Sequence, residues 1–368
     1  MKKVMLDQMI LTTCCPTNAG SKMLENFTSL FDATVAEKLR ERYEIACEAG
    51  KAPVGEFAID LVGETCFQGA ADTAESLKND TVSALIAFDV NGAPRRIAAQ
   101  QGLVFVKPTY GIVSRFGTVP VACSGECVGV MAKTVADCRE VLATIVGKDE
   151  RDGTMHADEV CKSSLNDAPV KKVALLKMSG ADSVEIEAAK ANMVANGIEI
   201  TEIDAGVIAT ANAAWNMLMC AELCNNVSRY DGVKYGYRTK NYKNLDELYT
   251  NSRTEAFGLL LKTAILYGSD VLSTKNYMAK YDKAMRVRRV ISEAFAKIFA
   301  EYDAVLLPAC SKKQYTAADS AFAENKYTAP AQLAGLPAVV VAGVQVMGPA
   351  FSDGKLLTLA EILEKEGK

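Results

Sequence analysis

Residues 170–203 read VKKVALLKMSGADSVEIEAAKANMVANGIEITEI, and the order of patterns within this stretch decides the fold. Residues 170–176 form an apolar run that is typical of a buried strand, and residues 198–203 alternate between apolar and polar side chains, as strands do. Residues 184–195, between these runs, predict a helix. A strand, a helix and a second strand in this order predict parallel pairing through a right-handed crossover, and therefore an α/β fold.

The remaining patterns add strands to this sheet and helices around it. Short apolar runs predict further strands at residues 83–88, 102–106, 304–308, 336–342 and 344–347. Five apolar residues at helical spacing predict a helix over residues 134–146, and helices are expected to dominate from residue 208 to residue 302. We expect one domain over residues 1–368, with strands buried between helix layers and a helical sub-region at residues 205–302.

One more helix is predicted to begin near Thr34. Asp32 precedes it and is expected to cap its free amide groups. Gly50 is expected to end it, because glycine adopts the left-handed conformation that often closes a helix.

Composition excludes several classes of protein. The chain has 368 residues, 49% of them hydrophobic and 23% charged, which is ordinary for a globular protein. Its net charge is -4, so it has no basic field for nucleic acid, and no run of apolar residues is long enough to span a membrane. Asp7 and Gln8 interrupt the apolar N-terminal stretch, which favours a first strand over a signal peptide. We therefore expect a cytoplasmic protein without direct contacts to nucleic acid or membrane.

Histidine and cysteine usage limits the chemistry further. The chain has one histidine, His156, so any catalytic or metal site that uses histidine has to contain this residue. Eleven cysteines without a CxxC pair do not resemble a disulfide framework. The i,i+4 pairs Cys123/Cys127 and Cys220/Cys224 could each share a helix face, but packed, reduced thiols are the favoured interpretation. We expect no metal and no cofactor.

Four longer motifs identify a resemblance. They are GSKMLENF at residues 20–27, KPTYGIVSRFG at 107–117, RYDGVKYGYRT at 229–239 and LAGLPA at 333–338. In this order they resemble the amidase signature family, and within it the A subunits of tRNA-dependent glutamyl/aspartyl amidotransferases. The resemblance implies a mixed central β-sheet between helix layers. It also implies an enzyme that releases ammonia from glutamine and passes it to a partner, the B subunit, which amidates a mischarged tRNA.

The catalytic positions that the resemblance implies are altered here. The family uses a serine nucleophile, a second serine in a cis peptide bond and a lysine that activates the pair. Asp7 stands at the lysine position, Ala93 at the nucleophile position and Gly69 at the ungapped position of the second serine. Lys3 lies on the same strand face as Asp7 but roughly 13 Å away, at about 3.3 Å per residue, so it cannot replace the missing lysine. We expect none of these positions to be catalytic.

The resemblance also implies two residues that hold glutamine. Arg288 can occupy the position of the arginine that binds the substrate carboxylate, since its guanidinium suits that group. Asn325 falls where the family has an acid for the substrate ammonium. We expect residual, weak substrate binding at most.

These changes lead to three hypotheses about function. The first is a catalytically inactive relative of the amidotransferase A subunit that acts as a scaffold or binds a partner. The second is an active amidase, or a glutamine amidotransferase subunit, with non-standard residues. Its candidate nucleophiles are Cys66, Ser83, Cys123 and Ser124, and its candidate bases are Asp7 and Asp89. The third is a small-molecule sensor that keeps the Arg288 pocket. Of these, the inactive scaffold is our sequence-based prediction.

The start of the chain suggests how it would bind partners. The chain begins near the strand that should carry the lysine, so the helices that precede this strand in the family are expected to be missing. The surface they would leave is apolar, and such a surface is usually buried by self-association or by another protein. We expect a homo-oligomer or a complex with amidotransferase B-like or C-like subunits.

Overall fold

A computed structural model of the chain describes residues 1–47, 50–61, 63–69, 72–180, 183–310, 322 and 324–365. Its ten strands form one sheet. They are β1 (Lys3–Leu6), β2 (Glu44–Ile45), β3 (Ala84–Asp89), β4 (Val104–Lys107), β5 (Cys127–Ala132), β6 (Lys172–Lys177), β7 (Glu199–Asp204), β8 (Ala304–Pro308), β9 (Ala338–Val341) and β10 (Val344–Met347). Their order across the sheet is β2-β1-β3-β5-β4-β9-β10-β8-β6-β7.

The sheet is mixed, as the resemblance implies. At one end β1 runs parallel to β2 and β3, and at the other end β6 runs parallel to β7 and β8. The central strands β3, β5, β4, β9, β10 and β8 pair antiparallel in that order. The predicted strand–helix–strand unit is confirmed, since Val173 of β6 lies opposite Ile200 of β7 in a parallel pair.

Helices cover both faces of the sheet. They are α1 (Thr34–Arg40), α2 (Glu75–Lys78), α3 (Ala93–Gln101), α4 (Val135–Ile145), α5 (Asp158–Ser163), α6 (Val184–Ala195), α7 (Ala211–Asn226), α8 (Leu245–Ala256), α9 (Leu259–Leu272), α10 (Lys283–Phe299), α11 (Ala329–Ala334) and α12 (Asp353–Glu364). Strand β3 shows the two-sided burial: Ile86 and Phe88 face a large apolar core, and Leu85 and Ala87 face a smaller one.

Helix α4 follows its predicted pattern closely. The five apolar residues that predict it are all buried, and Thr134 caps it by accepting a hydrogen bond from the amide of Asp137. By contrast, the prediction for α1 is wrong at both ends. Asp32 does not cap α1, because its carboxylate accepts a hydrogen bond from the Thr13 amide and pairs with Arg40. The helix ends at Arg40, well before Gly50.

The cysteines also differ from expectation at two places. Cys14 and Cys47 form a disulfide, which the spacing did not suggest. Cys127 lies in β5, so Cys123 and Cys127 do not share a helix face, whereas Cys220 and Cys224 do lie on one helix, α7.

Helix α7 lies within the one described helical segment whose length and composition would allow it to cross a membrane, Gly206–Arg229. Of its most apolar window, 56% is buried inside the protein. Trp215 and Leu218 are fully buried there, so α7 is a core helix of this fold.

Candidate active site

A cleft opens where the parallel strands β1 and β3 end. Asp7 follows β1 directly, and Ala93 begins α3 a few residues after the end of β3. Because parallel strands bring their carboxyl ends to one edge, both residues line the same cleft, together with Asp60, Thr73 and Phe88. The cleft has a cavity volume of about 20 Å³, which is enough to hold about one water molecule.

Asp7 is a buried carboxyl group held by backbone amides. Its Oδ1 accepts a hydrogen bond of 2.9 Å from the Met9 amide, and its Oδ2 accepts one of 2.6 Å from the Phe88 amide. The side chain is 1% exposed, and this burial raises the pKa of Asp7 to about 6 despite the two amides, which lower it. A carboxyl with that pKa can take up a proton near neutral pH.

The turn before α3 is held by a buried ion pair. The Nε of Arg95 donates to Oδ2 of Asp89 at 2.7 Å, and neither side chain is exposed. The Arg95 guanidinium also donates to the Thr328 carbonyl and to the side-chain oxygens of Gln332 and Gln345. These contacts fix the first turn of α3, so the position of Ala93 is defined even though its methyl group carries no hydroxyl.

Gly69, the ungapped match to the second serine, does not reach the cleft wall. It is exposed, with a φ of +97°, and a Cβ built there would have no neighbour within 4 Å. The hydroxyl group on the cleft wall is that of Thr73, which donates to the Pro53 carbonyl at 2.8 Å. Thr73, four residues after Gly69, therefore supplies a hydroxyl group on this side of the cleft.

Lys51 is a buried charged residue near Asp7 that the sequence motifs do not predict. It is 7% exposed, and its Nζ donates to the Ile10 carbonyl and the Thr17 hydroxyl. Burial lowers the pKa of Lys51 to about 8, and its charge interacts with that of Asp7. A lysine among small and apolar residues, as in GKAPV at residues 50–54, was the available signal. Lys3, by contrast, is an exposed residue that pairs with Glu44.

Arg288 lies in a separate network of polar contacts. Its guanidinium donates to the Ser124 hydroxyl at 3.0 Å and to the Ser124 carbonyl at 2.7 Å. The Ser124 hydroxyl donates in turn to Glu222 at 2.5 Å. Burial lowers the pKa of the Arg288 guanidinium from its usual value. Arg288, which is expected to bind a substrate carboxylate, therefore forms its hydrogen bonds with Ser124 of the protein.

Asn325 lies next to the Ala93 turn instead. It is fully buried, and its Nδ2 donates at 2.7 Å to the side-chain oxygens of both Asn91 and Asn216. Its own Oδ1 has no hydrogen-bond partner among the described residues. The structure thus places Arg288 and Asn325 in different hydrogen-bond networks, and their role in substrate binding stays a prediction.

Three of the four alternative nucleophiles are poorly suited to catalysis, and the fourth, Ser124, lies in the Arg288 network outside this cleft. Ser83 precedes β3 at the end away from the cleft, and its hydroxyl donates to the Lys3 carbonyl. Burial raises the pKa of both the Cys66 and Cys123 thiols, that of Cys123 to about 11, so both stay protonated near neutral pH. Asp89 is committed to Arg95, so of the two predicted bases only Asp7 lines the cleft.

Comparison with known proteins agrees with this architecture. Residues 79–357 match the amidase family, which is three quarters of the chain. The chain belongs to the amidase family. Its relatives include the A subunits of glutamyl-tRNA(Gln) amidotransferases. That of Latilactobacillus sakei is 34% identical over 94% of this chain and 78% of its own. Those of Acinetobacter baumannii and Streptococcus agalactiae are 33% and 32% identical, over 93% and 95% of this chain and 78% and 79% of theirs.

Solved structures of amidase-family proteins have the same fold. The A subunit of the Thermotoga maritima glutamyl-tRNA(Gln) amidotransferase superposes with a TM-score of 0.79 at 28% identity, covering 99% of this chain and 83% of that one. The urea amidolyase of Kluyveromyces lactis superposes with a TM-score of 0.83 at 20% identity, over 100% of this chain and 23% of that one, which shows the shared fold alone. The predicted fold class and the resemblance to A subunits are thereby confirmed.

The prediction of a catalytically inactive scaffold is wrong. The amidase-family relatives at 32–34% identity are named as amidotransferase subunits, over 93–95% of this chain, and nothing among them points to a scaffold protein. The prediction assumed that a chain without the family's serine and lysine residues has no activity. The alanine at position 93 provides no hydroxyl for that relay. The cleft remains, and its wall carries Asp7, a buried carboxyl group of raised pKa.

Proposed function

We propose that the chain is an active amidase-family subunit that hydrolyses a carboxamide, with glutamine as the expected substrate, and supplies the ammonia to an amidotransferase. The proposal rests on one observation above all: the chain matches amidotransferase A subunits over more than nine tenths of its length. Those relatives are named as amidotransferase subunits, and we infer an activity of this kind from them. We propose that the non-standard chemistry occurs in the cleft lined by Asp7 and Ala93.

Water is the nucleophile that this cleft suits. Ala93 has no hydroxyl, so the attacking oxygen has to come from elsewhere, and the cleft has room for a water molecule beside Asp7. The Asp7 carboxylate would take one proton as the water oxygen bonds to the amide carbon. It would return that proton to the nitrogen as the carbon–nitrogen bond breaks, so the products are a carboxylic acid and ammonia.

The first turn of α3 can stabilise the oxygen that becomes negative during this attack. The early amide groups of a helix have no partner within the helix, and such groups bind oxyanions well. Pro94 has no amide hydrogen, so the donors at this turn have to come from its neighbours. Asp60 and Thr73 also line the cleft, and we propose that they contact the amide nitrogen of a substrate.

A glutamine side chain is larger than the space that admits water. Substrate binding therefore requires movement of the cleft wall, and binding to a partner protein is the natural occasion for it. We propose B-like or C-like amidotransferase subunits as partners and the cytoplasm as the location. Any contact with tRNA would go through those subunits, since this chain has a net charge of -4.

The decisive experiment is a glutaminase assay of the chain with and without amidotransferase B and C subunits. We expect ammonia release in the assembled state, and a loss of roughly 10²-fold to 10⁴-fold in the Asp7→Asn variant, because the general base is removed. Asp167→Asn is the matched control, since Asp167 is 69% exposed and pairs with Arg139 at the surface. No ammonia release in any assembly would contradict the proposal, and an unchanged rate in Asp7→Asn would contradict the role of Asp7.

A further inference from the structure

Three thiol-bearing residues converge near the N-terminus, outside the cleft. The sulfur atoms of Cys14, Cys15 and Cys47 all lie within 4.8 Å of one another. Cys14 and Cys47 are bonded to each other, and the Sγ of Cys15 lies 4.0 Å from that of Cys14. A structural disulfide needs only two of these residues. The neighbouring residue Cys15 gives the cluster one thiol more than the disulfide uses.

The geometry of this three-thiol cluster fits a soft metal ion. Thiolates bind zinc at about 2.3 Å, and tetrahedral geometry then places ligand sulfurs roughly 3.8 Å apart. The Cys14–Cys15 separation of 4.0 Å is close to that value. Cys14 is exposed, so its side chain has room to rotate after reduction, and Cys15 is only 7% exposed. An ion could thus enter from the Cys14 side and be anchored by Cys15.

A buried cation lies beside this cluster. Lys51, four residues after Cys47, is 7% exposed, and its charge interacts with Cys15. The hydrogen bonds of Lys51 to Ile10 and Thr17 also tie the loop that carries Cys14 and Cys15 to the segment that carries Cys47. The cluster is therefore supported on both sides by the same side chain.

We propose that the reduced Cys14–Cys15–Cys47 cluster binds one soft metal ion, Zn²⁺ or Cu⁺, through three thiolates, with solvent as a further ligand. Thiolate ligands select such ions over hard ones. A thiol reductant first opens the disulfide: two reductant thiols supply two electrons and two protons, and they leave as their own disulfide. Metal binding then releases the three thiol protons to solvent. Exchange with a small-molecule disulfide, which is reduced to two thiols as the Cys14–Cys47 bond forms again, would remove two ligands and expel the ion.

The test is a titration of the full-length chain with Cd²⁺ after reduction and anaerobic removal of the reductant. We expect thiolate-to-metal charge-transfer absorption that saturates at one equivalent, and an affinity at least about tenfold lower in Cys15→Ser. Cys224→Ser is the control, because this partly buried thiol of α7 donates to the Ala221 carbonyl and lies outside the cluster. Equal binding by wild type and Cys15→Ser, or no saturable binding, would overturn the proposal.

A second measurement applies to the reduced wild-type chain, so it does not depend on how the variants fold. Zn²⁺ should slow alkylation of Cys14, Cys15 and Cys47 by iodoacetamide, as read by mass spectrometry of peptides, and leave the alkylation of Cys224 unchanged. Equal alkylation rates of the three cluster thiols with and without Zn²⁺ would count against the site.

Discussion

Arg95 and Asp89 form an ion pair of 2.7 Å in which both side chains are completely shielded from solvent. We expect the Asp89→Asn substitution to lower the free energy of unfolding by about 3–5 kcal/mol, because it leaves the Arg95 charge buried without its counterion. Urea unfolding followed by circular dichroism measures the change.

The surface pair Lys133–Asp80 provides the matched control for this prediction. Its side chains are 41% and 81% exposed, so Asp80→Asn should cost less than about 1 kcal/mol. Equal losses of unfolding free energy in the two variants would show that the buried pair stabilises the fold no more than the surface pair does.

Gly92, directly before Ala93, is expected to tolerate no side chain. Its φ is +96°, and a Cβ built there would lie 2.3 Å from the Cβ of Thr328. Gly92→Ala therefore combines left-handed backbone strain, about 1–2 kcal/mol, with a steric clash. Gly102→Ala is the control: its φ is +67°, but no atom lies within 4 Å of the added Cβ, so it should show the strain alone. Thermal unfolding should rank Gly92→Ala clearly below Gly102→Ala, and the reverse order would refute the clash.

Stability should fall as the pH rises from about 4 to about 7. Burial raises the pKa of Glu56 to about 7 and that of Asp7 to about 6, whereas both kinds of group titrate near 4 in an unfolded chain. In this window the folded chain binds more protons than the unfolded one, so the stabilisation is complete below about pH 4 and is lost as these groups ionise. Urea midpoints at several pH values measure the slope.

Glu56→Gln should remove its own share of that slope. The Glu56 carboxyl accepts hydrogen bonds from the Ser21 hydroxyl and the Gly258 amide, and the amide variant cannot ionise. Glu150→Gln is the control, since that side chain is 84% exposed and pairs with Lys148 at the surface. A Glu56→Gln variant with the slope of the wild type would show that Glu56 is not the titrating group.

Restoring a hydroxyl at position 93 should reduce activity rather than increase it. In the proposed mechanism, a serine side chain would compete for the small space that admits water, and Asp7 cannot replace the lysine of the family relay. We expect the rate of ammonia release in Ala93→Ser to fall by at least about tenfold. Ala99→Ser, on a partly exposed position of α3, is the control. A faster Ala93→Ser variant would indicate a serine route instead.

The parts of the fold that could be predicted are those set by neighbours in sequence. Helix α4 and the unit from β6 to β7 follow from local periodicity, because the sheet and core simply bury the apolar face that the pattern already defines. Asp32 shows where this fails. Its sequence position suits a cap, but Thr13, from a loop nineteen residues earlier, forms a competing hydrogen bond.

The candidate site was predictable in position but not in chemistry. Asp7 and Ala93 were located by motif spacing, and both do line the cleft. The Asp7 pKa depends on burial, and the contact of Lys51 with Ile10 and Thr17 depends on how two loops pack. Neither can be read from a string of residue types, because each arises from tertiary structure.

The partners of Arg95 have a consequence for how the protein is made. Its hydrogen-bond acceptors on Thr328, Gln332 and Gln345 follow it by 233, 237 and 250 residues. On a ribosome, the turn that carries Ala93 emerges early but cannot reach its final form until almost the entire chain has been synthesised. Contacts of such long sequence separation form slowly. The nascent chain therefore lacks these three acceptors of Arg95 through most of its translation, and a chain truncated before residue 328 would lack the contacts that fix the Ala93 turn.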